Sequence, residues 1–176
     1  MTRPLWWCGS SSLLLGAAVL GGGCYSPAKF HGDGAISAGG TTDPYRYRVE
    51  CGEVDLGEGG LTRLRLAGLP AGEFEFALEG DEATIRRVGG HDRWTIGLFY
   101  CEHDRPAANV AGGRVVDEHW AVSGPVRGGA WRLTPRKWNP ALPVSAPGRS
   151  YDVVIEVKGE AVTGAAKVKP VLEWTR

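Results

Sequence analysis

No stretch of this chain stays apolar for long. A membrane-spanning helix takes about 20 mostly apolar residues. The strongest run, residues 13–20, is eight residues long and gives way to Gly21-Gly22-Gly23. Each glycine costs about 1 kcal/mol against alanine inside a helix, which argues against a retained anchor. Charge of one sign is lacking too. The 20 Lys and Arg balance 20 Asp and Glu, for a formal net charge of zero. The densest basic sites, Arg86-Arg87 and Arg136-Lys137, are only pairs. Phosphate backbones need concentrated positive charge, so nucleic acid is not an expected partner.

Catalytic patterns are also missing. There is no Gly-x-Ser-x-Gly elbow, the strained turn that exposes a nucleophilic serine. His-Glu-x-x-His, the phosphate-binding glycine loop and the paired spacings of known metal sites are absent, so no cofactor or metal is expected. Ser123 and Ser145 stand near turn signals with no marked base beside them. Paired carboxylates such as Asp81-Glu82 read as a polar turn. The tightest reactive cluster is Cys101-Glu102-His103-Asp104. Imidazole and carboxylate are reasonable zinc or copper ligands, and His91-Asp92 or Asp117-Glu118-His119 could add to them. A metal-binding protein or hydrolase built on His103, His119 and nearby acids is therefore the alternative to a non-catalytic protein.

What is present is alternation. Tyr45, Tyr47, Val49 and Cys51 alternate with Arg46, Arg48 and Glu50. Period two marks a half-buried strand. Leu64 and Leu66 repeat it, as do Phe74, Phe76 and Leu78, and Tyr151, Val153, Ile155 and Val157. Trp94, Ile96, Leu98 and Tyr100 form a further row, but Phe99 and Cys101 lie on its opposite face. That predicts a strand covered on both sides or bulged. Pro170 interrupts the last run, Val168 to Trp174, and predicts an edge strand or a bulge. Leu69-Pro70-Ala71-Gly72 and Ala146-Pro147-Gly148-Arg149 carry turn chemistry. No stretch of ten or more residues keeps a helical period. Many short strands at regular spacing predict an all-β fold, and two covered apolar faces favour an antiparallel sandwich.

The N-terminus has the layout of a secretory signal: Arg3, a short apolar core, then small residues. Cys24 directly after Gly22 and Gly23 resembles the lipobox of bacterial lipoproteins, although that family prefers leucine where Gly21 stands. The resemblance implies that residues 1–23 are removed and that Cys24 carries lipid. Lipid on Cys24 makes the membrane a partner. With Tyr25 next, and in a Gram-negative source, it implies the outer membrane, facing the periplasm or the cell surface. Residues 24–44, rich in Gly, Ser and Thr, read as a flexible linker. Residues 45–176 remain as one domain, long enough to bury its own core. Within it, Pro147-Gly148-Arg149-Ser150-Tyr151-Asp152-Val153 resembles a turn-and-strand common in immunoglobulin-like extracellular domains. The chain is similar to a group of small proteobacterial lipoproteins with no assigned function. The likeness implies an immunoglobulin-like fold and transfers no active site.

An envelope location is oxidising. Cys8 leaves with the signal and Cys24 carries lipid, so Cys51 and Cys101 are expected to form a disulfide. The other reading is two buried free thiols. The tryptophans divide as well. Trp94 and Trp174 lie in apolar rows and read as core. Trp138 lies in Pro135-Arg136-Lys137-Trp138-Asn139-Pro140, a loop by its prolines. Trp138, with Arg136 and Lys137, is the candidate recognition patch, unless Trp138 folds back to cap the sandwich. Together these features predict a lipid-anchored cell-envelope protein, not an enzyme, whose domain binds an envelope protein or a glycan.

Overall fold

The computed structural model describes residues 27–38, 47–90, 94–103, 111–115, 120–136, 141–142, 150–160, 162 and 164–174. In chain order a 3₁₀ turn (Pro27–Lys29) leads into β1 (His31–Gly32), β2 (Gly34–Ala38), β3 (Tyr47–Cys51), β4 (Val54–Asp55), β5 (Gly60–Pro70) and β6 (Gly72–Gly80). There follow α1 (Glu82–Gly89), β7 (Trp94–Glu102), β8 (Ala111–Val115), β9 (Trp120–Ser123) and β10 (Trp131–Pro135). The last three strands are β11 (Ala141–Leu142), β12 (Ser150–Gly159) and β13 (Lys167–Trp174).

Two antiparallel sheets form. One has the order β1-β5-β12-β7-β8. The other runs β2-β3-β13-β6-β10-β9, with β11 on β6 and β4 on β13. This is the antiparallel β-sandwich that the alternation predicts. The rows read as apolar are its filling: Val49, Leu66, Phe74, Phe76, Leu78, Ile96, Tyr151, Ile155, Leu172 and Trp174 are all buried in one core. Their alternate neighbours face outward. Pro70-Ala71-Gly72 carries the chain from the first sheet to the second between β5 and β6.

Pro170 is not at an edge. β13 lies between β3 and β6, and Pro170 pairs with Leu78 on the β6 side. On its other side β4 pairs only as far as Val168, and β3 begins at Val171. The break between β3 and β4 therefore falls opposite the residue that has no N–H to give. The expected bulge exists, but it is on the neighbouring strand.

Residues 81–90 are a two-turn helix and its caps, where the sequence predicts only turns. Asp81 accepts from the Thr84 N–H at 2.9 Å, the usual office of an N-cap carboxylate. Ile85 and Val88 turn one face of α1 into the core. The helix is too short to show a period in sequence.

The linker assignment also changes. Residues 31–38 form a strap along one edge of the sandwich. β1 pairs with β5 and β2 pairs with β3, so one short segment closes both sheets. Gly32 makes this possible: its φ is +137°, and a Cβ there would sit 2.1 Å from the Arg65 carbonyl oxygen. Real Cβ atoms do not approach so closely, so the strap lies against β5 only because this residue is glycine.

The expected Cys51–Cys101 bridge is not formed, and both thiols are free. Strand parity is the reason. Cys51 shares the inner face of β3 with Tyr47 and Val49 and is 3% exposed. Cys101 lies opposite Asp152, on the outer face of the other sheet. A disulfide needs Cβ atoms about 4 Å apart, and here a sheet lies between them. Burial, with Asp33 adding to it, pushes the Cys51 thiol up to about 12. Burial, then Asp152, also raises Cys101, which stays partly exposed. An alkylating reagent at mildly alkaline pH should modify Cys101 slowly in the native protein and Cys51 only after unfolding. Peptide mass spectrometry reads both, and a bridged peptide pair in a non-reduced digest would contradict this.

Candidate functional site

The outer face of the five-stranded sheet carries an aromatic side chain that the core does not use. Ile96 and Leu98 of β7 are buried, and Tyr100 packs against the core from the same side. Phe99, between Leu98 and Tyr100, points the other way and is half-buried. Its ring lies over Gly97. A Cβ on Gly97 would meet Phe99 Cε2 at 2.9 Å and Cζ at 3.3 Å. The residue opposite Phe99 on β8 is Gly112, which has no side chain. On the β12 side Phe99 faces Val154. Phe99 is thus bordered by Gly97 on its own strand, Gly112 on β8 and Val154 on β12.

Polar groups stand at both ends of this platform. Two residues along, Glu156 lies opposite Gly97 and accepts from Arg63 Nε at 2.8 Å. Two residues the other way, Asp152 lies opposite Cys101. Asp152 Oδ1 accepts from the Gly68 N–H at 3.0 Å and lies 2.7 Å from His103 Nδ1. Strands rise about 3.3 Å per residue, so the two polar rows are about 13 Å apart. An aromatic ring between hydrogen-bonding groups can meet a ligand that is apolar on one face and hydroxylated at its rim. Aromatic rings supply that kind of surface with little side-chain entropy to lose.

The other outer face is built differently. Glu79, on β6, receives Arg48 Nη2 at 2.6 Å, and Arg132 Nε at 3.1 Å and Nη2 at 2.7 Å. Glu173 accepts from Arg132 at 2.9 Å, and Glu50 accepts from Arg48 at 3.0 Å. Burial works against both guanidinium charges. Hydrogen bonds to these carboxylates outweigh it, so Arg48 and Arg132 are held above the ordinary arginine range. The Arg48 bond likewise holds the Glu50 carboxyl below its usual range. Beside this network is a cleft of about 280 Å³ lined by Glu53, Glu79, Asp81, Lys167 and Lys169 among others. Its lysines are paired, Lys167 with Glu53 and Lys169 with Glu50. Each cation here is paired with a carboxylate, and no aromatic side chain among the described residues lines the cleft. It reads as a clasp across β3, β13, β6 and β10.

The residues singled out in the sequence fall as follows. Arg136 is exposed in the turn after β10. Lys137 and Trp138 lie outside the described residues, as do Cys24, Asp104 and His119. His103 is brought to Asp152. Among the described residues no three His, Cys, Asp or Glu side chains converge as metal ligands do. Trp174 is core, 1% exposed. Trp131 is half-buried against the core, with the Arg86 guanidinium 4.6 Å from its ring centroid. Phe99 is a candidate that the sequence reading did not single out. Its signal is an aromatic on the wrong parity of an apolar row, two positions after a glycine.

No protein-family model matches the chain, and no curated protein matches it. Among solved structures it is similar to TmCBM61 in complex with β-1,4-galactotriose, with 13% identity over 82% of each chain and a TM-score of 0.28. The chemistry of the site stands on its own geometry.

Proposed function

We propose that this chain is a lipid-anchored cell-envelope protein whose β-sandwich binds a glycan without catalysis, through the outer face of the five-stranded sheet. The lipid on Cys24 holds it to a membrane. The Phe99 platform takes the apolar face of a sugar ring. Arg63–Glu156 and Asp152–His103 meet hydroxyls on either side of it. The observation that carries this reading is the Phe99 ring laid over Gly97 and facing Gly112. A strand that merely needed a core would spend its aromatic inward. A half-buried ring with a glycine beside it on its own strand and another opposite it offers an apolar surface that the face of a sugar can cover. Asp152 and His103 lie 2.7 Å apart, and the contact fixes the direction of both groups.

A glycan array probed with the purified domain, extended to isolated envelope polysaccharide, tests this. Binding is expected, and Phe99→Ala should weaken it at least tenfold while the thermal midpoint stays within a few degrees. Gly97→Ala should weaken it too, because the new methyl must lift the ring. Absence of glycan binding, or binding indifferent to both changes, would reject the site.

A further inference from the structure

We infer that the sandwich sits directly on the membrane surface, with the corner formed by Pro27–Lys29 and Gly68 against phospholipid headgroups. This rests on the acylation of Cys24 proposed above. Only Tyr25 and Ser26 separate Cys24 from Pro27, where the described fold begins. Three residue steps reach about 11 Å at full extension. The acyl chains start at the hydrocarbon boundary, and one headgroup layer is about 5–8 Å thick. Crossing that layer consumes most of the tether. The fold therefore begins within a few ångströms of the membrane surface.

The beginning of the fold is also fastened. The Phe30 N–H donates to the Pro27 carbonyl at 3.1 Å, the Asp33 N–H to the Arg65 carbonyl at 2.8 Å, and the Gly52 N–H to the Asp33 carbonyl at 2.9 Å. Asp33 Oδ2 accepts from the Arg65 N–H at 2.8 Å. Phe30 packs against the core. A Cβ on Gly68 would lie 2.1 Å from the Lys29 carbonyl oxygen, so the 3₁₀ turn is seated on β5. Peeling the strap away to lengthen the tether would break these contacts and open an edge of both sheets.

Orientation follows from topology. β1 and β2 are one edge of the sandwich, and β8 and β9 are the opposite one. Strands are about 4.8 Å apart, so the path from β2 to β9 spans about 24 Å. Gly72 begins β6 at the membrane end, and Gly80 ends it beside α1. α1 and β9 therefore occupy the corner diagonally opposite the anchor. The Phe99 face stands on the flank, open to a polymer beside the membrane.

The test uses the natively acylated protein, purified from membranes and reconstituted in phosphatidylcholine–phosphatidylglycerol vesicles that carry an acceptor dye on headgroups. A donor dye is placed on Lys29→Cys or on Val122→Cys, each with Cys101→Ser. Energy transfer should be several-fold greater from position 29 than from position 122. Inserting twenty Gly and Ser residues between Ser26 and Pro27 should abolish the difference. Equal transfer from both sites, or a difference that survives the insertion, would overturn the inference while an acylated Cys24 peptide left the anchor intact. An unmodified Cys24 in the mass spectrum would instead remove the anchor, and this inference with it.

Discussion

Replacing Glu79 with alanine is expected to destabilise the domain by about 3 kcal/mol or more, within the 3–5 kcal/mol that follows loss of one member of a buried ion group. The Glu79 side chain is 7% exposed, and those of Arg48 and Arg132 are 11% and 14% exposed. Three hydrogen bonds end on its two oxygens. Without it both guanidiniums keep only rim partners. Arg132 retains Glu173 at 2.9 Å and Glu75 at 3.5 Å, and Arg48 retains Glu50 at 3.0 Å and Glu173 at 3.6 Å. Those carboxylates are more exposed and recover part of the loss, which places the expected value near the lower end of the range. Glu82→Ala is the control. Its pair with Arg86 is an exposed i,i+4 contact, of a kind that contributes about 0.3–0.5 kcal/mol. Urea unfolding should show the Glu79→Ala midpoint falling with little change in slope, the sign that stability and not compactness has changed. A loss below about 1 kcal/mol would mean that the network is an exposed set of pairs and not a clasp.

The clasp also shows what alternation alone conveys. Arg48 and Glu50 are polar members of a strand whose apolar members fill the core, and alternation places both on its outer face; Glu79 and Glu173 join them there only through the fold. Which of them meet depends on strand order. β6 lies between β13 and β10, and nothing local dictates that a strand at residues 72–80 should neighbour one at 167–174. The same gap explains the cysteines. The parity of Cys101 was visible beside Ile96 and Leu98, and it already placed that thiol on the opposite face from the core row. The expectation of a disulfide came from compartment and number, which are blind to direction. The strap at residues 31–38 carries glycines that look like linker composition. In the fold Gly32 serves close backbone approach, a demand set by a partner strand far along the chain. α1 fails for a plainer reason: two turns give a periodic pattern too few repeats to be seen. Phe99 is legible in the sequence as an exception, one that predicts a strand covered on both sides or bulged. Gly97 and Gly112 change that reading, and only the pairing of β7 with β8 brings Gly112 opposite the ring.

Trp174 gives the second large effect, and it separates packing from polarity. It is 1% exposed and lies in register with Phe74 of β6. The two rings are 5.0 Å apart between centroids, inclined by 32°. Trp174→Ala removes that contact and leaves a cavity, so a loss of about 3–5 kcal/mol is expected. The indole Nε1 is buried and finds no hydrogen-bond partner among the described residues. A buried, unsatisfied donor carries a penalty of about 1–3 kcal/mol. Trp174→Phe deletes the donor and keeps an aromatic ring beside Phe74. Its smaller cavity and its removed polar group act in opposite directions, and the net change should stay within about 1 kcal/mol. Chemical denaturation of both variants decides the matter. If Trp174→Phe costs as much as Trp174→Ala, the Nε1–H is making a bond that holds β13 in place. Trp174 fills the core behind the larger sheet, while Phe99 lies on the outer face of the other. Trp174→Phe should therefore leave glycan retention unchanged, and Phe99→Ala should leave the denaturation midpoint nearly so. That reciprocal pattern is what a sandwich with its core and its proposed binding face on separate layers must give.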